Sequence, residues 1–113
     1  METETEMTVP FRPLGIITEV VEQMGLEVTY AFEDLVFISH NAFLLRMGEK
    51  GEIVHLYFNE ESEADKRGPV QKQLTRLGDE RGLTIINSGT YKMQAREADE
   101  QLEIHFQEYE NTE

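Results

Sequence analysis

The chain has 113 residues, 39% of them apolar, and a net charge of −13. This length predicts one domain with a single modest core. Only 10 Lys and Arg residues are scattered among 23 acids, so the clustered cations that bind nucleic acid or an anionic membrane surface are missing, and we expect neither partner.

The negative charge is concentrated at the two ends of the chain. Residues 1–11 hold three acids, residues 97–113 hold seven, and neither segment contains Lys or Arg. Residues 12–96 are nearly balanced, with 13 acids and 10 bases. We expect the end charges to maintain solubility, and one alternative function is that they attract a basic partner protein.

The absence of cysteine excludes disulfides, thiolate metal sites and cysteine nucleophiles. The acidic first residues do not resemble a signal peptide, and the longest uninterrupted apolar runs, of four residues, are far shorter than a membrane span. These features predict a cytoplasmic protein.

The first half of the chain predicts a helix followed by strands. Apolar residues spaced by three and four over Leu14–Met24 predict an amphipathic helix, with Pro13 in its first turn and Gly25 at its C-terminal cap. Residues 28–32 alternate as a half-buried strand, and further apolar blocks predict strands at 35–38, 42–47 and 53–58. The loop at 48–51 and the short connections favour an antiparallel meander.

The second half predicts a helix and two more strands. Ser62 is a candidate N-cap with Asp65 at the capping-box position, and Pro69 marks either a restart of this helix or its true beginning. Val70, Leu74 and Leu77 form its apolar stripe, and Gly82 ends it. Strands are predicted over 83–95, with a bulge or bend at Gly89, and over 102–109, with a turn at 97–100 between them.

These elements predict an α+β fold in the order α-β-β-β(-β)-α-β-β. The expected architecture is an antiparallel sheet of five to six strands with two helices packed on one face. The domain is predicted to span residues 10–109, between an acidic tail at 1–9 and a second tail at 110–113. If the last strand is an edge, Glu103 and Glu108 would discourage uncontrolled pairing there.

No group of residues predicts catalysis, a metal site or a cofactor. The histidines His40, His55 and His105 fall on or beside predicted strands, and no two of them have a short-range ligand spacing. The adjacent acids fall in predicted turns and helix ends, where water keeps them ionised and unsuited to general acid catalysis. We therefore expect a protein that is not an enzyme.

The stretch 35–58 has more apolar residues than a sheet with one solvated face needs. Both sets of alternate positions are apolar. The odd-numbered positions hold Leu35, Phe37, Phe43 and Leu45, and the even-numbered positions hold Val36, Ile38, Ala42 and Leu44. One interpretation is a central strand covered on both faces, or a change of parity at the turn His40-Asn41. The other is an exposed apolar face that binds a protein partner or a second copy, with Leu35, Phe37, Phe43 and Leu45 as its contact residues. Both remain open from the sequence.

The pattern of elements resembles the type III secretion chaperone family and the bacterial domains that share its fold. The comparison rests on the helix Leu14–Met24, the strand block Val28–Phe58, the helix Val70–Leu77, and the closing strands Thr84–Ala95 and Leu102–Tyr109. The resemblance implies a homodimer without enzymatic activity. It also implies that an extended partner segment binds on apolar patches of the sheet and first helix.

Two classes of function follow from these observations. The first is a non-catalytic protein-binding module of the chaperone or adaptor type, expected to self-associate. The alternative is a small-ligand-binding or enzymatic domain with a pocket between sheet and helices. The candidate polar residues of that pocket are His55, Tyr57, Tyr91 and His105.

Overall fold

Two helices and a six-stranded sheet form the fold of this computed structural model, which describes residues 13–41, 43–48, 50–96 and 101–109. The elements are α1 (Leu14–Gln23), β1 (Val28–Phe32), β2 (Leu35–Ile38), β3 (Phe43–Met47), β4 (Ile53–Asn59), α2 (Ala64–Glu80), β5 (Thr84–Arg96) and β6 (Gln101–Glu108), with a short 3-10 turn at Ser39–Asn41. The α+β class and the predicted order of elements are confirmed. The predicted tails at 1–9 and 110–113 and the predicted turn at 97–100 lie outside the described residues.

The sheet is mixed and not purely antiparallel, which corrects one part of the prediction. Its strands follow chain order from β1 to β6, so β1 and β6 are the edges among the described strands. β1 to β4 form the expected antiparallel meander, but β4 pairs with β5 in parallel. The reason is α2, which carries the chain back along the sheet so that β5 begins beside the start of β4.

Both helices end in the same hydrogen-bonded motif, as their glycines predict. After α1, Gly25 has φ +82° and Leu26 N–H donates to the Val21 carbonyl. After α2, Gly82 has φ +83° and Leu83 N–H donates to the carbonyl of Gly78. Glycine adopts this left-handed conformation without steric cost, so each helix stops sharply and the next strand begins within three residues of the glycine.

The start of α2 differs from the prediction. The helix begins at Ala64 and continues through Pro69, so Pro69 marks neither its beginning nor a restart. Its N-cap position is Glu63, which makes no side-chain capping bond. Ser62 instead donates to the Asn59 carbonyl and accepts a hydrogen bond from Arg67 Nε at 3.0 Å. The serine therefore fixes the loop between β4 and α2 and does not cap the helix.

The two faces of the sheet carry separate apolar clusters. α1 and α2 pack on the first face, as predicted, and their residues Ile17, Val20, Val21, Leu74 and Leu77 are buried there together with Val36, Ile38, Phe43, Leu45, Met47, Val54, Leu56, Phe58 and Leu83. The second face, opposite these helices, holds buried Leu44, Tyr57 and Tyr91 and half-buried Leu35, Phe37, Met93, Ile104 and Phe106. The central strands are therefore apolar on both sides.

Candidate functional site

The most unusual feature of the sheet is the exposure of aromatic residues on its edge strand β1. Tyr30 is 59% exposed and Phe32 is 53% exposed, so the prediction of a half-buried strand at 28–32 is wrong for these two residues. A bulge lies between Val28 and Tyr30. Val28 pairs with Ile38 and packs on the helix-covered core, whereas Tyr30 pairs with Phe37 on the second face. The bulge thus turns the rest of the strand away from the helices.

The structure separates the four predicted contact residues onto opposite faces. Leu35 and Phe37 are half-buried on the second face, whereas Phe43 and Leu45 are only 1% exposed beneath the helices. The change of parity occurs at the turn between β2 and β3, where His40 has φ +65°. The two interpretations that need no partner therefore both hold here. The set of alternate residues that faces the helices changes at this turn, and β3 is covered on both of its faces. A binding role for the set stays a prediction, and only Leu35 and Phe37 lie next to exposed apolar surface.

Four apolar side chains form a continuous surface at the β1 edge of the second face. They are Tyr30, Phe32, Leu35 and Phe37, and we call this surface the aromatic edge. The rings of Tyr30 and Phe32 are nearly parallel, with centroids 6.5 Å apart, and the Tyr30 ring lies 5.8 Å from that of Phe37. Phe32 pairs across the strands with Leu35. These contacts fix the orientation of the rings while leaving large parts of Tyr30 and Phe32 in solvent.

Carboxylates flank the aromatic edge at both ends of β1. Glu27 precedes the strand, and Glu33 and Asp34 follow it. None of the described Lys, Arg or His residues forms an ion pair with these three acids. Residues 13–45 contain five acids and no Lys or Arg. Of these acids, Glu19 pairs with Arg81 at 3.5 Å, and Asp34 lines a pocket together with Arg46 and Lys50. Negative potential at both ends of an apolar strip favours a partner with positive charge at matching positions.

A second group of side chains on the same face is polar and satisfied within the protein. Glu108 of β6 accepts a hydrogen bond from the Tyr57 hydroxyl at 2.9 Å and pairs with Arg46 at 3.4 Å. We call these three residues the polar clasp. The Arg46 guanidinium also lies 5.4 Å from the centroid of the Tyr57 ring and 5.6 Å from that of Phe106. The clasp joins the end of β6 to β3 and β4 across the strand between them.

Gly89 of β5 allows Glu108 to approach Tyr57 closely. It has φ +153°, and a Cβ atom at this position would lie 2.9 Å from the Glu108 Cα. The register of β4 against β5 shifts here, which confirms the predicted bulge. Because position 89 carries no side chain, Glu108 reaches Tyr57 over the top of β5. Burial, together with the hydrogen bond to the carboxylate, raises the pKa of Tyr57 to about 12 and keeps its hydroxyl protonated as the donor.

A pocket of about 390 Å³ lies beside the clasp, lined by residues that include His55, Tyr57, Ser88 and Tyr109. His55 Nδ1 is 2.7 Å from Ser88 Oγ, and burial together with the nearby Arg46 lowers the pKa of His55. A serine and a histidine in contact suggest nucleophilic catalysis. However, among the described residues no third group hydrogen-bonds His55 to orient it as a base.

The four polar residues predicted to line a ligand pocket do not come together. His55 and Tyr57 share the pocket, but the Tyr91 hydroxyl accepts a hydrogen bond from Asn59 elsewhere on the face. His105 lies on the other side of β6 and contacts Glu103 at 3.1 Å. Each histidine does lie on or beside a strand as predicted, with His40 in the 3-10 turn. Within the described part of the chain, no group of His, Asp and Glu side chains is arranged to hold a metal ion.

Comparisons with known proteins give this chain no relatives. No protein-family model matches it, and neither a curated protein nor a solved structure matches it with significance. Neither helix of the described residues has the length and apolar character needed to span a membrane. The resemblance to the secretion chaperones is therefore untested and stays a prediction.

Sequence reasoning missed the residues that stand out most in the structure. The alternation over residues 28–32 predicts Tyr30 and Phe32 as strand residues but does not predict that their rings form an exposed surface. Strand β1 does lack Lys and Pro, the residues that usually protect an edge strand. No local sequence pattern indicates that Arg46 and Glu108 form a pair, because they are 62 residues apart in the chain.

Proposed function

We propose that this chain is a non-catalytic protein-binding domain that uses the aromatic edge as its contact surface. The observation that carries the proposal is the exposure of Tyr30 and Phe32, at 59% and 53%, on a strand at the edge of the sheet. Aromatic side chains dominate the energetics of protein interfaces, because each ring buries a large area at a small cost in side-chain entropy. Exposed apolar surface on an edge strand also favours aggregation unless a partner covers it.

The polar groups of the second face support a binding role over an enzymatic one. Tyr57 and Arg46 direct their polar groups to Glu108, and His55 contacts Ser88. These bonds join strands to each other and leave no convergent set of acid, base and nucleophile in the described residues. The four residues predicted to line a ligand pocket do not share one, and this counts against that form of the alternative: His55, Tyr57, Tyr91 and His105.

Self-association through the same surface is one form of this proposal. Sedimentation equilibrium over a wide range of protein concentration measures it directly. A dimer that dissociates when Phe32 is replaced by Ser would make a second copy the partner. A monomer at all concentrations would leave a different polypeptide as the partner.

A displayed library of random peptides tests the proposal without knowledge of the natural partner. The full chain is immobilised, peptides are selected on it, and the affinities of the selected peptides are measured in solution. We expect enriched peptides that lose at least about tenfold in affinity on the Phe32→Ser variant, because a central interface aromatic contributes 2 kcal/mol or more. A failure to enrich any peptide, or unchanged affinity for the variant, would overturn the proposal.

Tyr109→Ser is the matched control. Tyr109 is 52% exposed, almost the same fraction as Phe32, but it lies just beyond the end of β6. Both substitutions remove an exposed ring and leave a small hydroxyl. If loss of any exposed aromatic reduced binding, both variants would lose affinity to a similar extent. The proposal predicts that Tyr109→Ser binds as the parent chain does.

A further inference from the structure

We propose that the partner segment adds to the sheet as a further strand beside β1, and that it carries Lys or Arg at both ends of the added stretch. This inference rests on the proposed function and specifies the partner it would bind. The observations that carry it are the side of β1 that no described strand pairs with, the apolar side chains of the aromatic edge, and the acids at both ends of the strand, which form no ion pair with a described cation.

The free side of β1 can pair with another strand. Among the described strands β1 pairs only with β2, so alternate residues of Val28–Phe32 direct backbone N–H and C=O groups away from the described sheet. Addition of an extended peptide to such an edge satisfies these groups and aligns the peptide's side chains with the two faces. On the second face, alternate residues of the peptide would lie beside Tyr30 and Phe32. This geometry favours apolar side chains at those peptide positions.

The charges at the ends of β1 specify the ends of the partner segment. Glu27 precedes the strand, and Glu33 and Asp34 form the turn that follows it, so the five residues of β1 separate the charges. Glu27 and Glu33 form no ion pair with a described cation, whereas Asp34 lines a pocket together with Arg46 and Lys50. A Lys or Arg opposite each end would pair with a carboxylate, and opposite charges across strands are stabilising.

The same charges disfavour a second copy of this chain at this edge. A twofold axis through an antiparallel β1 pair centred on Tyr30 would place Glu27 of each copy opposite Glu33 of the other. Like charges directly opposite are destabilising, and each copy also carries a net charge of −13. A basic segment of another protein fits the edge better than β1 itself.

Three synthetic peptides test the charge part of the inference. Each has a core of alternating Val and Thr, and they differ only in having Lys, Ser or Glu at both ends. Affinity for the full chain is measured by fluorescence anisotropy at low and high salt. We expect the Lys-ended peptide to bind about tenfold more tightly than the Ser-ended one at low salt, with the difference reduced at high salt because exposed charges are screened.

Charge reversal on the protein is the matched test. In the double variant Glu27→Lys and Glu33→Lys, the Glu-ended peptide should become the tighter binder and the Lys-ended one the weaker. Both substitutions are at exposed positions, so the fold should tolerate them. The charge part is overturned if the end residues make no difference while every peptide still loses affinity on Phe32→Ser. That result would leave the proposed function standing.

Methylation of the peptide's backbone nitrogens tests strand addition itself. One version of the Lys-ended peptide carries N-methyl groups on its even positions, and another carries them on its odd positions. Pairing with β1 predicts that one pattern abolishes binding and the other is tolerated, since only alternate N–H groups face the sheet. Equal affinity for the two versions would overturn strand addition. Equal affinity of all peptides for the parent chain and Phe32→Ser would instead overturn the proposed function.

Discussion

The two edge strands of this sheet use their side chains in opposite ways. On β6, Phe106 packs 4.6 Å from the Tyr57 ring and Glu108 joins the polar clasp, so the strand's side chains hold it to the rest of the sheet. On β1, Tyr30 and Phe32 mainly contact each other and the adjacent strand, and more than half of each side chain faces solvent. One edge is fixed by contacts that cross the neighbouring strand, and the other presents apolar surface that no described part of the chain covers.

This difference explains why the acids at the two edges have different consequences. The sequence predicts that Glu103 and Glu108 protect the last strand from uncontrolled pairing. In the structure Glu108 also reaches inward to Arg46 and Tyr57 and stabilises the fold. Glu27 and Glu33 have no such described partners, so their charge remains available to another molecule. We expect substitutions at β6 to change stability and substitutions at β1 to change binding.

The largest expected effect comes from Gly89→Ala. An added Cβ would collide with the backbone of β6 at Gln107 and Glu108, at a residue whose φ of +153° suits only glycine. We expect the free energy of unfolding to fall by about 3 kcal/mol or more, measured by urea denaturation. Gly15→Ala is the control, because no atom lies within 4 Å of its added Cβ and it should change stability by at most about 1 kcal/mol in the favourable direction. Equal stability of both variants would show that β6 is not held closely at Gly89.

A direct comparison of the edges comes from removing one ring on each. Phe106→Ser should lower the free energy of unfolding by about 2 kcal/mol, because the ring is half-buried against Tyr57. Phe32→Ser should lower it by less than about 1 kcal/mol, because most of its ring is already in water. The same urea experiment measures both. If Phe32→Ser cost as much as Phe106→Ser, the aromatic edge would be part of the folded core and not a surface for a partner.

The polar clasp is tested by Tyr57→Phe, which removes the hydroxyl and keeps the buried ring. The lost hydrogen bond joins the hydroxyl to an exposed carboxylate, so we expect a loss of about 1 kcal/mol. Glu80→Gln is the control, because it weakens only surface ion pairs, with Arg76 at 3.5 Å and with Arg81 at 4.0 Å, and should change stability by less than about 0.5 kcal/mol. A Tyr57→Phe variant as stable as the parent would mean that the clasp does not hold β6.

The helices and the order of elements along the chain could be predicted because their signals are local. The apolar spacing over Leu14–Met24 and the glycines at 25 and 82 are read within a few residues, and the structure confirms them. The parallel pairing of β4 with β5 could also have been predicted from the sequence, since a strand that follows a crossover helix usually pairs in parallel. The antiparallel prediction extended the meander one strand too far.

The candidate surface could not be predicted for a different physical reason. Alternation shows that Tyr30 and Phe32 share a face, but it does not show whether other parts of the chain cover that face. The bulge after Val28 and the turn at His40 each change which parity points inward, and the sequence left the second of these open. The clasp depends on the register of β5 against β6 and on the shift at Gly89, which are properties of the assembled sheet.

The smallest expected effect is a dependence of the folding stability on pH. It arises from His55 of β4, which lies beside the polar clasp. Burial, and to a lesser extent Arg46, lowers the pKa of His55 in the folded state, while Glu108 opposes the shift. The unfolded chain therefore takes up a proton near the ordinary pKa of about 6.5, where the folded chain does not. Stability should be fully present above about pH 6.5 and should decline slightly as the pH falls below it.

Urea denaturation of the parent chain and of His55→Gln, at several pH values between about 7.5 and 5.5, measures this contribution. We expect the parent to lose more stability than the variant across that interval, because glutamine cannot take up the proton. If His55→Gln and the parent declined in parallel, protonation of His55 would not be linked to folding. The contact between β4 and β5 at His55 would then be looser than the distance of 2.7 Å between His55 and Ser88 implies.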